Sequence, residues 1–192
     1  MRSPHAQHPV TPVHLTAGTL TPRPWVPGDA AVLTGLFRDE ALRRWTSGPV
    51  CDEAGAARWV AEQQRGRETG DRLAFAVEEA RAPGAGIRPA GHVALKRPAP
   101  ESGSAEVGYW TAAHARGRAV APRALRALTD GAFTAFAHEG PARPELLHRA
   151  GDTASCRVAG KCGFALVGLL PAAPPASPRE GHLHVREATA AG

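Results

Sequence analysis

The sequence predicts an α+β fold in which a mixed, mainly antiparallel sheet is flanked by helices. Apolar residues recur at helical spacing over 29–39 and 121–138, which indicates two amphipathic helices. Between them, three runs with strand character are separated by turns rich in glycine and proline, as in an antiparallel meander. These runs cover residues 72–78, 90–96 and 105–111. Consecutive strands framed by helices favour the α+β class over a regular α/β alternation.

The remaining elements are predicted from caps, breakers and shorter patterns along the chain. Asp29, Asp52 and Asp152 occupy helix N-cap positions, and a glycine and a proline at 140 and 141 end the long helix. The predicted order is strand 15–22, helix 29–39, a loop at 42–49, helix 52–66, the three strands above, helix 121–138, strand 145–150, helix 152–162, strand 164–170, a linker at 171–178 and strand 181–186.

Length and composition indicate a single domain over 13–188, preceded by a flexible tail at 1–12. The N-terminus lacks the apolar core of a signal peptide and no run approaches about 18 apolar residues, so we expect a cytoplasmic protein without a membrane partner. The formal net charge is +5, and all but Lys96 and Lys161 of the 23 basic residues are arginines. The arginines are scattered and Tyr109 is the sole tyrosine, so the charge favours an anionic cofactor over nucleic acid.

The cysteines and histidines give little indication of a metal site. The three cysteines, at positions 51, 156 and 162, lack metal-site spacing and are expected to be reduced thiols. His182 and His184 form an H-x-H pair on a predicted strand, a spacing that can chelate a metal ion. No third ligand is apparent in the sequence, so no metal is expected. His114 and His148 are predicted to be surface residues or residues that support a site.

The most informative stretch runs from Glu106 to Leu128 and combines a strand, a basic loop of small residues and an amphipathic helix. It reads E-V-G-Y-W-T at the strand and R-G-R-A-V-A-P-R through the loop into the helix. Such a junction directs several backbone N–H groups and a helix N-terminus at one point, which is how proteins hold pyrophosphate. A second informative element, D-T-A-S-C-R-V-A-G-K-C-G-F, covers 152–164.

Together these two elements resemble the GNAT superfamily of N-acetyltransferases, and most closely its RimJ/RimL-like branch. That branch typically shows E-x-G-Y-W, then R-G-x-G-x-A, then N-x-x-S-x-x-V-x-x-K-x-G-F. The resemblance extends over about residues 15–186. It implies a GNAT fold with acetyl-CoA as co-substrate, and it guides the assignment of the weaker strands.

The resemblance also implies how acetyl-CoA is held. In the family, backbone N–H groups of R-G-x-G-x-A wrap the pyrophosphate, and the preceding strand separates from its neighbour to pair with the pantetheine arm. Carried over, the strand contributes main-chain contacts from Tyr109, Trp110 and Thr111. The loop contributes Arg116, Gly117, Arg118, Ala119, Val120 and Ala121.

Three departures from the family pattern bear on cofactor affinity. Ala119 replaces a glycine, which costs about 1 kcal/mol if the position needs positive φ and little if it is helical. Pro122 and Arg123 replace a Thr-Glu pair; proline suits a first helical turn, and the arginine adds positive charge. Asp152 replaces an asparagine that could donate to pantetheine, whereas an ionised aspartate only accepts. A non-catalytic acyl-CoA-binding protein therefore remains an alternative.

Two residues are candidates for the chemistry. Glu106 is the candidate general base, since an ammonium group must lose a proton before it attacks a thioester. By strand alternation Glu106 shares a face with Gly108 and Trp110, and its alternative role is a solvated strand residue. The resemblance places Ser155 near the thioester sulfur, where it would assist the departing thiolate. The alternative for Ser155 is a structural role in the first turn of the helix that Asp152 caps.

The sequence thus predicts an N-acetyltransferase that moves the acetyl group of acetyl-CoA directly to a primary amine. The RimJ/RimL-like motifs favour a protein or peptide N-terminus as acceptor, and a small antibiotic or metabolite amine is the alternative. The acceptor side is expected from the loop around Trp45, the helix 52–66 and the segment 171–181. Formation of a homodimer is left open.

Overall fold

A computed structural model of the chain describes residues 15, 17–46, 50–79, 88–97, 103–136, 143–174 and 179–188. Within them the chain forms one seven-stranded sheet with helices on both faces, which confirms the predicted fold class. The strands are β1 Leu20–Pro24, β2 Arg72–Glu79, β3 Gly91–Lys96, β4 Ser104–Thr111, β5 Arg143–Arg149, β6 Ala165–Leu170 and β7 Gly181–Val185. The helices are α1 Ala30–Leu36, α2 Glu40–Trp45, α3 Glu53–Thr69, α4 Val120–Ala135 and α5 Thr153–Lys161.

The strands are ordered β1-β2-β3-β4-β5-β7-β6 across the sheet. All neighbouring pairs are antiparallel except β4 and β5, which run parallel. The predicted meander is β2-β3-β4, and α4 is the crossover that a parallel return from β4 to β5 requires. The single parallel pair therefore lies at the centre of the sheet, directly after the strand with the E-x-G-Y-W motif.

The sheet separates two hydrophobic cores. One core packs β2, β3 and β4 against α4 and α5, and the other packs the opposite face against α1, α2 and α3. Five consecutive residues of β2 are buried because the strand is covered on both faces. Its large side chains enter the α4 core, while Ala74 and Ala76 face α1 and α3. These alanines leave space on the second face for aromatic side chains.

Two of the three predicted N-caps are present. Asp52 and Asp152 each accept the backbone N–H three residues ahead, at 2.6 Å and 3.0 Å respectively. Asp29 is different, because it makes no side-chain cap to α1. Its buried carboxylate pairs with Arg23 at 2.7 Å and with the backbone N–H of Val26. Asp29 does precede α1, as predicted, but its side chain forms an ion pair instead of a cap.

Two boundaries differ from prediction. The tract predicted as a loop at 42–49 begins in α2, because the Asp39 carboxylate accepts the Leu42 N–H at 2.9 Å and caps a short helix. The first strand begins at Leu20, since Gly18 turns the chain with a φ of +65°. The predicted tail at 1–12, the end of the long helix at 138–141, most of the turns at 82–89 and 98–103, and part of 171–178 lie outside the described residues.

Candidate active site

The parallel pairing of β4 and β5 ends half-way along β4, so the two strands separate there. Their register covers four residue pairs and ends with Val107 opposite Leu146. From Gly108 to Thr111, β4 keeps its partner β3, but the described residues provide no strand partner on its other edge. Backbone groups on that edge are thus available to an extended ligand, as in β-strand addition. The predicted cofactor contacts Tyr109, Trp110 and Thr111 all belong to this part of the strand.

The loop after β4 is bent by two residues in the left-handed region. Gly117 has a φ of +78°, and Ala119, at the N-cap of α4, has φ +55° and ψ +27°. Ala119 is the sole non-glycine residue with positive φ in the described part of the chain. Position 119 therefore needs positive φ, and of the two alternatives for Ala119, positive φ or a helical conformation, this is the one that costs more energy. Left-handed bends of this kind turn successive N–H groups toward one point at the start of α4, where Val120 and Ala121 follow.

The three arginines around this loop all have protein partners. Arg116 pairs with the carboxylate of Asp39, and its guanidinium lowers the pKa of that carboxyl group. Arg118 lies 2.9 Å from a carboxylate oxygen of Glu79. Arg123 donates at 2.9 Å to a backbone carbonyl that precedes β1. Two carboxylates thus offset part of the positive charge of the loop, and a bound phosphate group would compete with them.

A chain of hydrogen bonds links β4 to the start of α5. The Tyr109 hydroxyl donates to Ser155 Oγ at 2.9 Å, and Ser155 Oγ donates to a carboxylate oxygen of Asp152 at 2.8 Å. Burial raises the pKa of Tyr109 to about 12. Ser155 is therefore a capped first-turn residue, as its structural alternative predicted, and its hydroxyl also contacts Tyr109. The resemblance implied only main-chain contacts for Tyr109, so this side-chain contact was not predicted.

Glu106 lies on the other face of β4, together with Trp110. Its carboxylate is 2.5 Å from Lys96 Nζ, its cross-strand partner on β3. The two side chains are 44% and 42% exposed, so the pair is in contact with solvent. A Cβ placed on Gly108 would meet no atom within 4 Å, which confirms the predicted open space beside Glu106.

A single cleft connects these groups. It has a volume of about 2040 Å³, against roughly 300–1,000 Å³ for a typical small-molecule site. Its lining includes Tyr109, the loop residues 116, 117 and 119–121, several aromatic side chains and residues of α3. Parts of the segment 171–181, predicted for the acceptor side, also line it. The cleft can therefore hold a large ligand and a second molecule at once.

Comparison with known protein families identifies the chain. Residues 19–165 match the family described as "Acetyltransferase (GNAT) domain". The chain belongs to the GNAT acetyltransferase family. It is an acetyl-CoA-dependent N-acetyltransferase. A search of the curated proteins finds no match for this acetyltransferase.

Solved structures share the fold of this acetyltransferase at low sequence identity. The microcin C7 self-immunity acetyltransferase MccE, in complex with acetyl-CoA and AMP, is 16% identical with a TM-score of 0.76, covering 93% of this chain and 98% of that one. RimL, the ribosomal L7/L12 alpha-N-protein acetyltransferase in complex with coenzyme A, is 18% identical with a TM-score of 0.76, covering 91% and 97%. RimJ of Mycobacterium smegmatis is 23% identical with a TM-score of 0.73, covering 93% and 86%.

The described helices were also compared with the requirements of a membrane span. None of them, over the ranges given above, combines the length and the apolar composition needed to cross a bilayer.

The acetyltransferase also contains a buried aromatic cluster that the sequence did not predict. Trp25 Nε1 donates to His92 Nδ1 at 3.0 Å, and the His92 ring stacks on Trp110 with 5.7 Å between centroids. Trp59 contacts the same imidazole edge-on. Burial, with smaller contributions from nearby positive charges, lowers the pKa of His92 to about 3. The imidazole is therefore neutral, and because Nδ1 accepts, Nε2 carries the proton.

At the rim of the cleft, Trp45 lies between two arginines. The guanidinium of Arg44 is 5.0 Å from the Trp45 ring centroid and that of Arg149 is 6.0 Å away. Arg149 also donates to the Arg44 carbonyl at 2.7 Å, which ties the end of β5 to α2. Trp45 lines the cleft, and the two guanidinium groups make the rim around it basic.

The histidines depart from the expectation that His182 and His184 lack further ligands. The fold brings His148 and Cys156 to them, and one nitrogen or sulfur atom from each of the four residues lies within 4.8 Å of the others. No local pattern reveals this grouping, because the residues belong to three separate elements, β5, α5 and β7. His114, by contrast, is exposed in a short 3-10 turn after β4, as predicted.

Proposed function

We propose that this acetyltransferase moves the acetyl group from acetyl-CoA directly to a peptide N-terminus. The observation that carries the proposal is the gap between β4 and β5, which opens beside the left-handed loop at 116–120. An extended pantetheine arm fits the free edge of β4, and the pyrophosphate fits the start of α4. The acceptor class is supported by the shared fold with RimL, described as an alpha-N-protein acetyltransferase.

In this proposal the loop holds acetyl-CoA mainly through its backbone. The N–H groups of 116–121 face the pyrophosphate, while Arg116 and Arg118 exchange part of their pairing with Asp39 and Glu79 for phosphate oxygens. Pro122 lacks one N–H in the first turn of α4, which the arginine charges compensate. Asp152 contributes by fixing Ser155.

The reaction forms a C–N bond between the amine and the acetyl carbonyl carbon and breaks the C–S bond of the thioester. Glu106 takes a proton from the ammonium group, directly or through water, before the attack. Lys96 pairs with Glu106 at 2.5 Å and holds the carboxylate in place. The coenzyme leaves as a thiolate, and the nitrogen of the new amide releases its extra proton to solvent. Approximation of the two substrates in one cleft supplies much of the rate.

The hydroxyls of Tyr109 and Ser155 stabilise the departing thiolate. A thiol such as that of cysteine has a pKa of ~8.5, whereas that of Tyr109 is about 12. Complete proton transfer from Tyr109 to the sulfur is therefore unfavourable. Instead, one hydroxyl turns from its partner in the chain described above, Tyr109 from Ser155 or Ser155 from Asp152, and donates a hydrogen bond to the developing negative charge. The thiolate takes its proton from solvent after it leaves.

The rim of the cleft favours acceptors that carry negative charge beyond their amine. Arg44 and Arg149 flank Trp45 there, so acidic side chains next to the acetylated N-terminus would meet guanidinium groups. We therefore expect peptides with an acidic second or third residue to be better acceptors than basic peptides. We also place the protein in the cytoplasm, where its cysteine thiols stay reduced.

The test combines calorimetry with a thiol-release assay. Acetyl-CoA should bind, and release of free coenzyme should depend on the acceptor, in a panel of acidic and basic peptides, their N-terminally blocked forms and small amines. Arg116→Glu should weaken acetyl-CoA binding about tenfold, the equivalent of about 1.4 kcal/mol. Arg38→Glu is the matched control, because it makes the same charge change outside the residues that line the cleft.

The outcomes separate the alternatives. Binding of acetyl-CoA without thiol release for any amine would identify a non-catalytic acyl-CoA-binding protein. Release with small amines but with no peptide would favour the small-molecule acetyltransferase, which the shared fold with MccE also accommodates. Equal binding by Arg116→Glu and Arg38→Glu would exclude the loop as the phosphate site.

A further inference from the structure

Four residues that no step of the proposed reaction uses form a compact cluster beneath α5. They are His148, Cys156, His182 and His184, and their nearest ligand atoms all lie within 4.8 Å of one another. Cys156 Sγ is 3.3 Å from His182 Nδ1 and 3.8 Å from His148 Nε2. In a tetrahedral zinc site with Zn–N of about 2.0–2.1 Å and Zn–S of about 2.3 Å, neighbouring ligand atoms are about 3.3–3.7 Å apart. The cluster thus has nearly the dimensions of such a site.

The sheet and one helix produce this arrangement. His182 and His184 lie on the same face of β7 because side chains alternate along a strand. His148 on β5 is the direct cross-strand partner of His182, which places a third imidazole beside them. The three rings are in mutual contact, with centroids 5.0–6.0 Å apart. Helix α5 then brings Cys156 over the group.

The hydrogen bonding of the imidazoles is unusual for a metal-free cluster. His184 is 5% exposed. Neither of its ring nitrogens makes a hydrogen bond of good geometry among the described residues, although the backbone of Phe164 lies near enough to affect the pKa of the ring. A buried polar group without a partner costs about 1–3 kcal/mol, so a ligand for one of these nitrogens would remove a penalty. No polar side chain elsewhere in the described chain has both of its nitrogens left in this way.

His148 is oriented as a metal-binding histidine is. Its Nδ1 lies 3.0 Å from the carbonyl oxygen of Arg149. Since a carbonyl can only accept, Nδ1 carries the proton and Nε2 directs its lone pair toward Cys156 Sγ. Histidine ligands commonly donate their other N–H to a backbone carbonyl, which fixes the tautomer and the ring.

We propose that His148, Cys156, His182 and His184 bind one zinc ion. Three imidazole nitrogens and a thiolate are ligands typical of zinc, whereas magnesium and calcium require oxygen atoms. Four protein ligands complete a tetrahedral site and leave no open position, so the ion is structural. It would tie α5 to β5 and β7. The proposal stands independently of the acetyl-transfer chemistry.

The position of the site gives it a consequence for the cleft. Cys156 directly follows Ser155, whose hydroxyl contacts Tyr109 and Asp152. His148 is itself part of the cleft lining, as is Ser155. An ion bound to Cys156 and His148 would therefore fix the first turn of α5 against the strand that borders the β4–β5 gap.

Cobalt(II) is the probe for this site, because it replaces zinc and reports its ligands by absorption. The untagged full chain, stripped with a chelator, should bind one cobalt ion with tetrahedral d–d bands and a thiolate-to-cobalt charge-transfer band. Zinc should displace it and raise the melting temperature. Cys156→Ala should abolish the charge-transfer band. His182→Ala should weaken cobalt binding more than about tenfold, because even the loss of a residue that only hydrogen-bonds to a metal ligand typically costs that much affinity.

Matched controls separate this site from other thiols and imidazoles. Cys51→Ala removes an exposed thiol, and His114→Ala an exposed imidazole, so both should keep the wild-type cobalt spectrum and affinity. The triple variant His5→Ala/His8→Ala/His14→Ala tests the histidines near the N-terminus. Loss of cobalt binding in that variant, or survival of the charge-transfer band in Cys156→Ala, would overturn the proposal. If Cys156→Ala does not fold, the wild-type spectrum decides, since absence of a charge-transfer band excludes a thiolate ligand.

Discussion

The two faces of β4 carry the two halves of the cleft, and they are built in different ways. On the face toward α4 and α5, Tyr109 contacts Ser155, and the adjoining 116–121 loop completes the proposed cofactor side. On the face toward α1 and α3, Glu106 pairs with Lys96 and Trp110 belongs to the aromatic cluster, which together form the proposed acceptor side. The cofactor side relies on backbone geometry and short polar contacts. The acceptor side relies on packed rings whose positions depend on several elements.

The difference explains how far each side could be predicted. The cofactor loop is contiguous in sequence, so its strand, loop and helix appear as one pattern. The acceptor side joins Trp25, Trp59, His92 and Trp110, and even its one hydrogen bond spans 67 positions. A family pattern can identify the first kind of site, while only the packed fold reveals the second.

The largest expected effect is on the cofactor side. Ser155→Ala should lower kcat about 100-fold, because removing one hydrogen-bond donor to a developing charge typically costs that much. Acetyl-CoA affinity should change little, since binding is assigned to the loop. Steady-state thiol release and calorimetry check both quantities. Thr153→Ala, an exposed residue in the same helical turn, should retain wild-type turnover.

An equal loss of kcat in Ser155→Ala and Thr153→Ala would show that the first turn of α5 affects turnover through stability alone. Tyr109→Phe adds a second measurement, because it removes the donor to Ser155 without removing the serine hydroxyl. A wild-type kcat in both Ser155→Ala and Tyr109→Phe would remove the hydroxyl pair from the mechanism.

The next effect is a pH dependence on the acceptor side. The pKa of His92 is about 3 in the folded chain and ~6.5 in the unfolded chain. Between these values the unfolded state binds a proton that the folded state does not, so stability present above pH 6.5 is lost as the pH falls. The slope from this one group approaches about 1.4 kcal/mol per pH unit.

Urea unfolding at several pH values between about 7 and 5 measures this slope. Other groups also titrate, so the quantity that matters is the difference between the wild type and His92→Phe, which has no titratable ring. The variant should show the smaller pH dependence, whatever its stability at neutral pH. Parallel curves for the two proteins would mean that His92 accepts a proton without disturbing the cluster.

Local sequence patterns predicted most of the fold, and each wrong or missing prediction has a physical cause. The class of the sheet, the meander, and the caps at Asp52 and Asp152 follow from local patterns. The helix α2 was missed because Asp39 was not recognised as its cap. The Tyr109–Ser155 contact and the cluster around Cys156 depend on how α5 packs against the sheet, which no local pattern encodes.

A smaller effect on turnover is expected from Glu106, the proposed general base. Glu106→Gln should lower turnover about tenfold below pH ~8, where the acceptor amine is mainly protonated, and less at higher pH. Lys96→Met is the matched variant, because it breaks the same ion pair but retains the carboxylate. Turnover measured against pH separates them: if both variants lose the same activity at every pH, Glu106 serves the ion pair and is not the base.

The smallest effect concerns the strained position in the cofactor loop. A left-handed conformation costs an L-residue about 1–2 kcal/mol, a penalty that glycine avoids. Glycine in turn lowers the free energy of unfolding by about 0.4–1 kcal/mol relative to alanine, because it makes the unfolded chain more flexible. Ala119→Gly should therefore raise the free energy of unfolding by about 0.5–1 kcal/mol. For a chain of this size that corresponds to a rise of about 1–4 °C in the melting temperature.

Ala57→Gly makes the same chemical change at an exposed position inside α3, where it should instead destabilise. Opposite signs in the two variants would show that the loop stores strain at Ala119, and equal destabilisation would show that it does not. Because the backbone of the loop is already bent as the cofactor requires, the affinity of Ala119→Gly for acetyl-CoA should stay within about twofold of the wild type.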